Sequence, residues 1–409
     1  MFTKMPIKLT FSSRLLIIAL VLNAILGEAQ AKAALSADEE KLAAANNSFA
    51  FALLKQISLQ QPATNIFISP YSASLVLQMI DTGAAGQTKK EMDHVLGIDS
   101  IQPPSLNSAC KELDQSIRSL HTNVALTLAN AIWYRPGTEL LPEFSAANQQ
   151  YFSAALNMLD FTDPRAAGII NKWADENTRG KIKKIIDPPI PGYYKVFLAN
   201  AIYFKGTWLD QFDQKQTRNL PFHLPDGTQK QVPLMQQKGH FSYQDTKDFQ
   251  AIRLPYAGKR LGMFVLLPHT NSHPQKLTAN LAAAWKTAIL PKFLSQEGTI
   301  ALPRFKLEYA TKLKPILQAM GMRLPFEESA DFSRMSSSRL YVDEVKQMSF
   351  VEVNEEGTEA AAVTLGTMKT TAILQPTKPF EMIVDRPFLF LIEDNLTHSL
   401  LFMGVIVEP

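Results

Sequence analysis

The side chains able to do chemistry in this chain are scattered rather than grouped. No Gly-x-Ser-x-Gly turn occurs, so no serine is presented at a strand-to-helix elbow as a hydrolase nucleophile requires. Cys110 is the only cysteine, which excludes an intrachain disulfide. It shares one face of a helical repeat with Leu106, Leu113 and Ile117 and reads as core, the alternative being a nucleophilic or redox thiol. His269 and His273 have the spacing of a zinc-binding pair, but Pro268 and Pro274 bracket them and break any shared helix face, leaving a solvated loop. Gly83-Ala84-Ala85-Gly86-Gln87-Thr88-Lys89 has the look of a phosphate loop without the Gly-Lys-Ser/Thr spacing that aims amides and a lysine at phosphate. It reads as the end of one helix and the cap of the next. No catalytic, metal or cofactor constellation emerges, and a non-enzyme is expected.

Charge adds one candidate. Arg179, Lys181, Lys183 and Lys184 form the densest basic cluster, which would attract a sulfated polysaccharide or another polyanion. The alternative is a solvated helix end, where cations offset the negative pole of the helix dipole. A formal net charge of +3 over 409 residues is too small to imply nucleic acid or an anionic membrane surface as partner.

Helical and strand signals interleave along the chain, with no linker, charge block or fixed-period repeat to mark a second folded domain. Ser36-Ala37-Asp38-Glu39 is a capping box opening a helix through Lys55, and Thr88-Lys89-Lys90-Glu91 is another opening a short helix. Strands are expected over Val124–Trp133, Val196–Phe204, Leu261–Leu267 and Met348–Val353. Phe388–Ile392 and Ser399–Val407 predict a buried C-terminal hairpin. The class is mixed α+β.

Residues 1–33 read as a secretory signal peptide. Lys4, Lys8 and Arg14 precede the apolar run Leu15–Leu22, and Ala29, Ala31 and Ala33 follow with Ala-x-Ala spacing. The run is too short for a confident membrane span. Export to the extracellular space or periplasm is expected, with residues 34–409 as the mature domain. The sequons at Asn46 and Asn395 decide nothing.

One segment has the composition of a switch. Glu355-Glu356-Gly357-Thr358-Glu359-Ala360-Ala361-Ala362-Val363-Thr364 follows the strand-like Phe350–Val353. In an extended chain Thr358, Ala360, Ala362, Thr364, Gly366 and Met368 share one face, and none is charged. Glu359, Val363, Leu365, Thr367 and Lys369 share the other. Such a segment can enter a sheet with its small face inward and its charges in water. The alanine run is also compatible with helix.

This run resembles the reactive-loop hinge of inhibitory serpins, and the likeness extends along the mature chain. Asn65–Ser72, Gly83–Thr88, Asn171-Lys172-Trp173 with Thr178–Ile182, Ala199–Trp208, Leu302–Phe305, Ala330–Ser333, Asp385–Phe388 and Leu401–Gly404 are similar to serpin segments and follow in order. The resemblance implies a single α+β domain of about nine helices and three sheets, with hinge and reactive loop over 355–386. It implies a strand-opening region at Ser69, Ser72, Asn200 and Trp208. Gln347 stands where the family often places a histidine, so altered strand-opening energetics are expected with insertion retained.

The implied activity is suicide inhibition of a serine protease. The protease cleaves the loop and forms an acyl-enzyme, and the freed loop inserts into the central sheet. Family spacing from Glu355 puts the scissile bond between Thr371 and Ala372, suiting an elastase-like or subtilisin-like enzyme. Cleavage at Lys369 would suit a trypsin-like one. The alternatives are a non-inhibitory carrier or chaperone on the same fold, or an inhibitor of papain-like cysteine proteases. The expected state is a monomer, covalently joined to its target after attack.

Overall fold

Residues 35–119, 124–269, 274–358 and 378–409 are described in the computed structural model. In chain order the strands are β1 (Ile66–Ile68), β2 (Val124–Tyr134), β3 (Ala155–Met158), β4 (Val196–Thr207), β5 (Arg218–His223), β6 (Gln229–Asp245), β7 (Phe249–Pro255), β8 (Leu261–Pro268), β9 (Leu294–Pro303), β10 (Phe305–Lys312), β11 (Glu344–Asn354), β12 (Gly357–Thr358), β13 (Phe380–Ile383), β14 (Phe388–Asp394) and β15 (Ser399–Ile406). The helices used below are α1 (Ala37–Gln60), α2 (Pro70–Asp81), α3 (Gly86–Leu96), α4 (Pro103–Arg118), α5 (Pro142–Phe152) and α6 (Ala166–Asn177).

The strands join into two hydrogen-bonded sheets. The first runs β10-β11-β12-β4-β2-β3. The second runs β1-β15-β14-β8-β7-β6-β9-β13, with β5 paired to β6. β6 is 17 residues long and gives its N-terminal part to β5 and the rest to β9 and β7, so the two smaller sheets of the expected three are continuous through it.

The core lies between these layers around α2, every residue of which is buried. Its polar side chains are paired there: Ser72 with Asn130, Ser74 with Asn46, Gln78 with Ser74 and Asp81 with Lys89. Its start is fixed locally: Pro70 takes the first turn, where a missing N–H costs nothing, and Ser69 Oγ caps the Ser72 N–H at 3.3 Å. On the second sheet β14 and β15 are buried at every position, and Phe67 stacks between Phe390 and Phe402 with centroids at 5.8 and 5.5 Å. Each such ring contributes roughly 1.5–3 kcal/mol by leaving water.

The C-terminal hairpin and the expected strands are all present. Cys110 is a core residue: it is buried in α4, its thiol is pushed well above the usual range by burial and then by Asp114, and it donates to Gln78 Oε1 at 2.6 Å. The second capping box is a correction. α3 begins at Gly86, so Thr88 lies inside the helix. Thr88 Oγ1 accepts from the Asp331 N–H at 2.9 Å, and Glu91 accepts from the N–H groups of Arg323 and Leu324 at 2.8 Å each. The same side chains thus cap a distant segment, which local spacing could not reveal. Asn46 of the first sequon is buried in α1, its Oδ1 accepting from Ser74 Oγ at 2.7 Å. No described helix is long and apolar enough to cross a membrane. Residues 1–33 lie outside the described residues.

Candidate strand-insertion site

The hinge begins where β11 ends. Asn354 Oδ1 accepts from the N–H of Glu356 at 3.1 Å and of Gly357 at 3.3 Å, an Asx turn that reverses the chain. The reversed chain becomes β12. It pairs antiparallel with Val353 and Asn354 of β11 on one side and with Gly206 and Thr207 of β4 on the other. Below it β11 and β4 pair directly and in parallel, from Glu344 with Phe197 to Phe350 with Tyr203. Gly357 and Thr358 are therefore a wedge already seated at the head of the β4–β11 seam.

The wedge is fitted closely. Gly357 has φ +153, and a Cβ there would stand 2.1 Å from the Gly206 carbonyl oxygen, so no side chain fits. Thr358 is fully buried, with Oγ1 2.8 Å from the Tyr256 hydroxyl. Burial pushes that hydroxyl well above its usual range, so it stays protonated. Tyr256 stacks on Trp208 at 4.6 Å and meets the edge of Phe204 at 5.2 Å. Trp208 closes the turn by donating from Nε1 to Asn354 O at 2.9 Å and from its backbone N–H to Glu356 O at 3.0 Å.

Glu355 ties the turn to its surroundings. Its carboxylate is 2% exposed and accepts from Arg304 Nε at 2.7 Å and from the Thr217 hydroxyl. Burial raises its pKa, but Arg304 and Thr217 more than offset this and hold it below the usual range. Its carbonyl accepts from the Phe212 N–H at 2.9 Å.

Lower down, a buried polar network crosses the seam. Gln347 and Asn200 are opposite in register, and Gln347 Nε2 donates to Asn200 Oδ1 at 2.7 Å and to Ser69 O at 3.0 Å. Gln347 Oε1 accepts from the Ser69 N–H at 3.0 Å. Asn200 Nδ2 donates to Ser72 Oγ at 2.6 Å and to Asn130 Oδ1. Ser69 Oγ donates to Leu401 O at 2.7 Å. The amide at 347 thus uses both ends, and the network ties both strands to the start of α2.

All five residues expected in the strand-opening region fall at the seam: Ser69, Ser72, Asn200 and Gln347 in the network, Trp208 at the wedge. Of the expected hinge, Glu355–Thr358 is described. Glu359, Ala360, Ala361, Ala362, Val363 and Thr364, and the Thr371–Ala372 bond, lie outside the described residues. The chain is described again from Lys378, and β13 pairs in parallel with β9. Sequence reasoning missed Asn130, Tyr256, Thr217 and Arg304. Asn130 carried a signal, a polar residue within an apolar strand, placed opposite Asn200. Tyr256 carried none. Among the described residues no group of three or more His, Cys, Asp or Glu side chains is placed to hold a metal.

The basic cluster is engaged with the protein itself. Arg179 lies 5.7 Å over the Tyr203 ring, Lys181 lies 5.2 Å over Phe350, and Lys184 pairs with Asp187. Lys183 is exposed.

The family profile described as serpin (serine protease inhibitor) matches residues 44–409. The chain belongs to the serpin family. It is 36% identical over 384 residues to the leukocyte elastase inhibitor of Sus scrofa, covering 90% of this chain and 100% of that one. It is 33% identical over 362 residues to neuroserpin of Homo sapiens, covering 84% and 86%. Native protease nexin-1, solved with heparin, superposes with a TM-score of 0.81 at 29% identity, covering 91% of this chain and 100% of that one. The fold is the serpin fold.

Proposed function

We propose that this serpin is a suicide inhibitor of an extracytoplasmic serine protease, with Thr371 donating the acyl carbon. The wedge carries this reading: the hinge already occupies the first strand position between β11 and β4, and the residues that follow, Glu359 to Thr364, include only small or β-tolerant side chains on the inward face. Attack at Thr371 forms the acyl-enzyme and frees the amine of Ala372. With the loop cut, β12 lengthens down the seam, the parallel β4–β11 pairing is exchanged for two antiparallel ladders, and the acylated protease is carried with the loop. Each added pair contributes about 0.5–1.5 kcal/mol net. The sum drives insertion and displaces the catalytic groups of the protease from the geometry that deacylation needs.

The similarity to leukocyte elastase inhibitors agrees with a small residue at the cleavage position. Export rests on the leader-like pattern of residues 1–33. A polyanion partner at Arg179, Lys181, Lys183 and Lys184 is the weaker part of the proposal, because three of the four cations already face groups of the protein itself.

The test is to mix the mature protein with elastase-like, subtilisin-like, trypsin-like and papain-like proteases. A denaturant-stable complex together with a released peptide beginning at Ala372 is expected for the first two. A complex formed only with the papain-like enzyme would move the target to cysteine proteases. Cleavage without any complex would make the chain a substrate and favour a carrier or chaperone role.

A further inference from the structure

The turn after α6 lies across the seam just below the wedge. It is braced from within: Thr178 Oγ1 donates to Ala174 O at 2.7 Å and accepts from the Ile182 N–H at 2.9 Å, and the Gly180 N–H reaches Asp175 O at 2.9 Å. Arg179 is held at φ +54, a left-handed conformation that costs a non-glycine residue energy. From this braced turn two cations reach two rings, Arg179 to Tyr203 on β4 and Lys181 to Phe350 on β11. Tyr203 and Phe350 are opposite each other in the ladder, and theirs is the last direct β4–β11 pair before β12 intervenes. In the β12 register position 361 comes opposite both, so a strand advancing down the seam must part these two rings to pass them. Lys306 also lies over Phe350, at 5.6 Å, but from β10 on the same side of the seam, so it does not bridge.

We infer that Arg179 and Lys181 form a latch on the seam, gripping the first pair that insertion must separate, so that release of the two cation–π contacts sets how fast the hinge can advance. The inference rests on the insertion mechanism proposed above. Both strands are fixed to one rigid turn, so their separation by a strand's width breaks at least one contact before any new pairing forms.

The latch is tested without a protease. The full chain is incubated with a synthetic peptide having the sequence of residues 358–371, and peptide uptake into the sheet is followed by native gel mobility and mass. Arg179→Gly keeps the left-handed backbone at no strain and removes the ring contact, and Lys181→Met keeps the stem and removes the charge. Each is expected to speed uptake about two- to fivefold, and the double variant about tenfold. Lys181→Arg retains a cation over Phe350 and is expected to keep the parent rate. Lys183→Met, changing an exposed cation of the same segment, is expected to do the same. One common rate for all chains would overturn the latch and leave the trap intact. No uptake by any chain, the double variant included, would overturn insertion itself and the latch with it.

Discussion

Gln347 joins β11, β4 and the start of α2 with an amide that carries no charge at any pH. Replacing it by histidine puts a titrating ring into a fully buried site, and burial lowers a histidine pKa. The folded state then binds fewer protons than the unfolded one, so the stability of Gln347→His relative to the parent is intact above about pH 6.5 and lost as pH falls below it. The thermal midpoints of the two proteins are expected to diverge between pH 7 and 5, and a constant difference would show that the ring escapes burial. Glu355 loses its contribution in the same direction, over a lower pH range. Its folded pKa lies below the usual 4.5, so its contribution is present above that value and lost as pH falls through the folded one. Arg304→Met leaves only Thr217 to oppose burial and raises that pKa. Trp208 fluorescence, which senses the turn, should then change at a higher pH than in the parent; the same midpoint in both would mean another group titrates. Neither Arg304 nor Tyr256 was assigned a role from the sequence, because their partners Glu355 and Thr358 are remote in the chain and only tertiary structure brings them together.

At the scale of elements, the four expected strands were legible because runs of apolar and β-branched side chains are a local property, while of the expected hinge only Glu355–Thr358 lies among the described residues. The turn after α6 was not legible. Its cations read as a helix-end or polyanion cluster, since nothing in Thr178–Lys184 reveals that two rings lie beneath it. Thr358→Arg tests the wedge as an element: the position is already buried at the head of the seam, so an unpaired guanidinium there should unseat the wedge and lower inhibition by at least about tenfold while loop cleavage continues. Undiminished inhibition would remove the hinge from the mechanism. β15 offers a stability test free of function. A Cβ on Gly404 would stand 2.2 Å from the Phe390 ring and 2.8 Å from the Ile66 carbonyl oxygen, so Gly404→Ala is expected to cost about 1–3 kcal/mol in denaturant unfolding.

For the whole molecule, the proposed mechanism requires that the uncleaved chain, with β4 and β11 paired directly below the wedge, be held from a more stable arrangement by a barrier. Cleavage in the reactive loop should raise the thermal midpoint well above that of the intact chain, and scanning calorimetry before and after a limited protease digest checks it; an unchanged midpoint would mean that the cut loop stays outside. The α+β class followed from interleaved patterns and the C-terminal hairpin from two apolar runs, but the sheet order did not, because pairing such as β1 with β15 is set by the three-dimensional path. That pairing bears on synthesis. β15 lies between β1 and β14, and Ser69 at the head of the central helix bonds to Leu401, so the middle of the molecule is supplied by its final residues. A nascent chain halted before Ser399 lacks the strand that seals its core. The native structure can therefore close only after Ser399–Ile406 has been synthesised, however early the rest of the core is made.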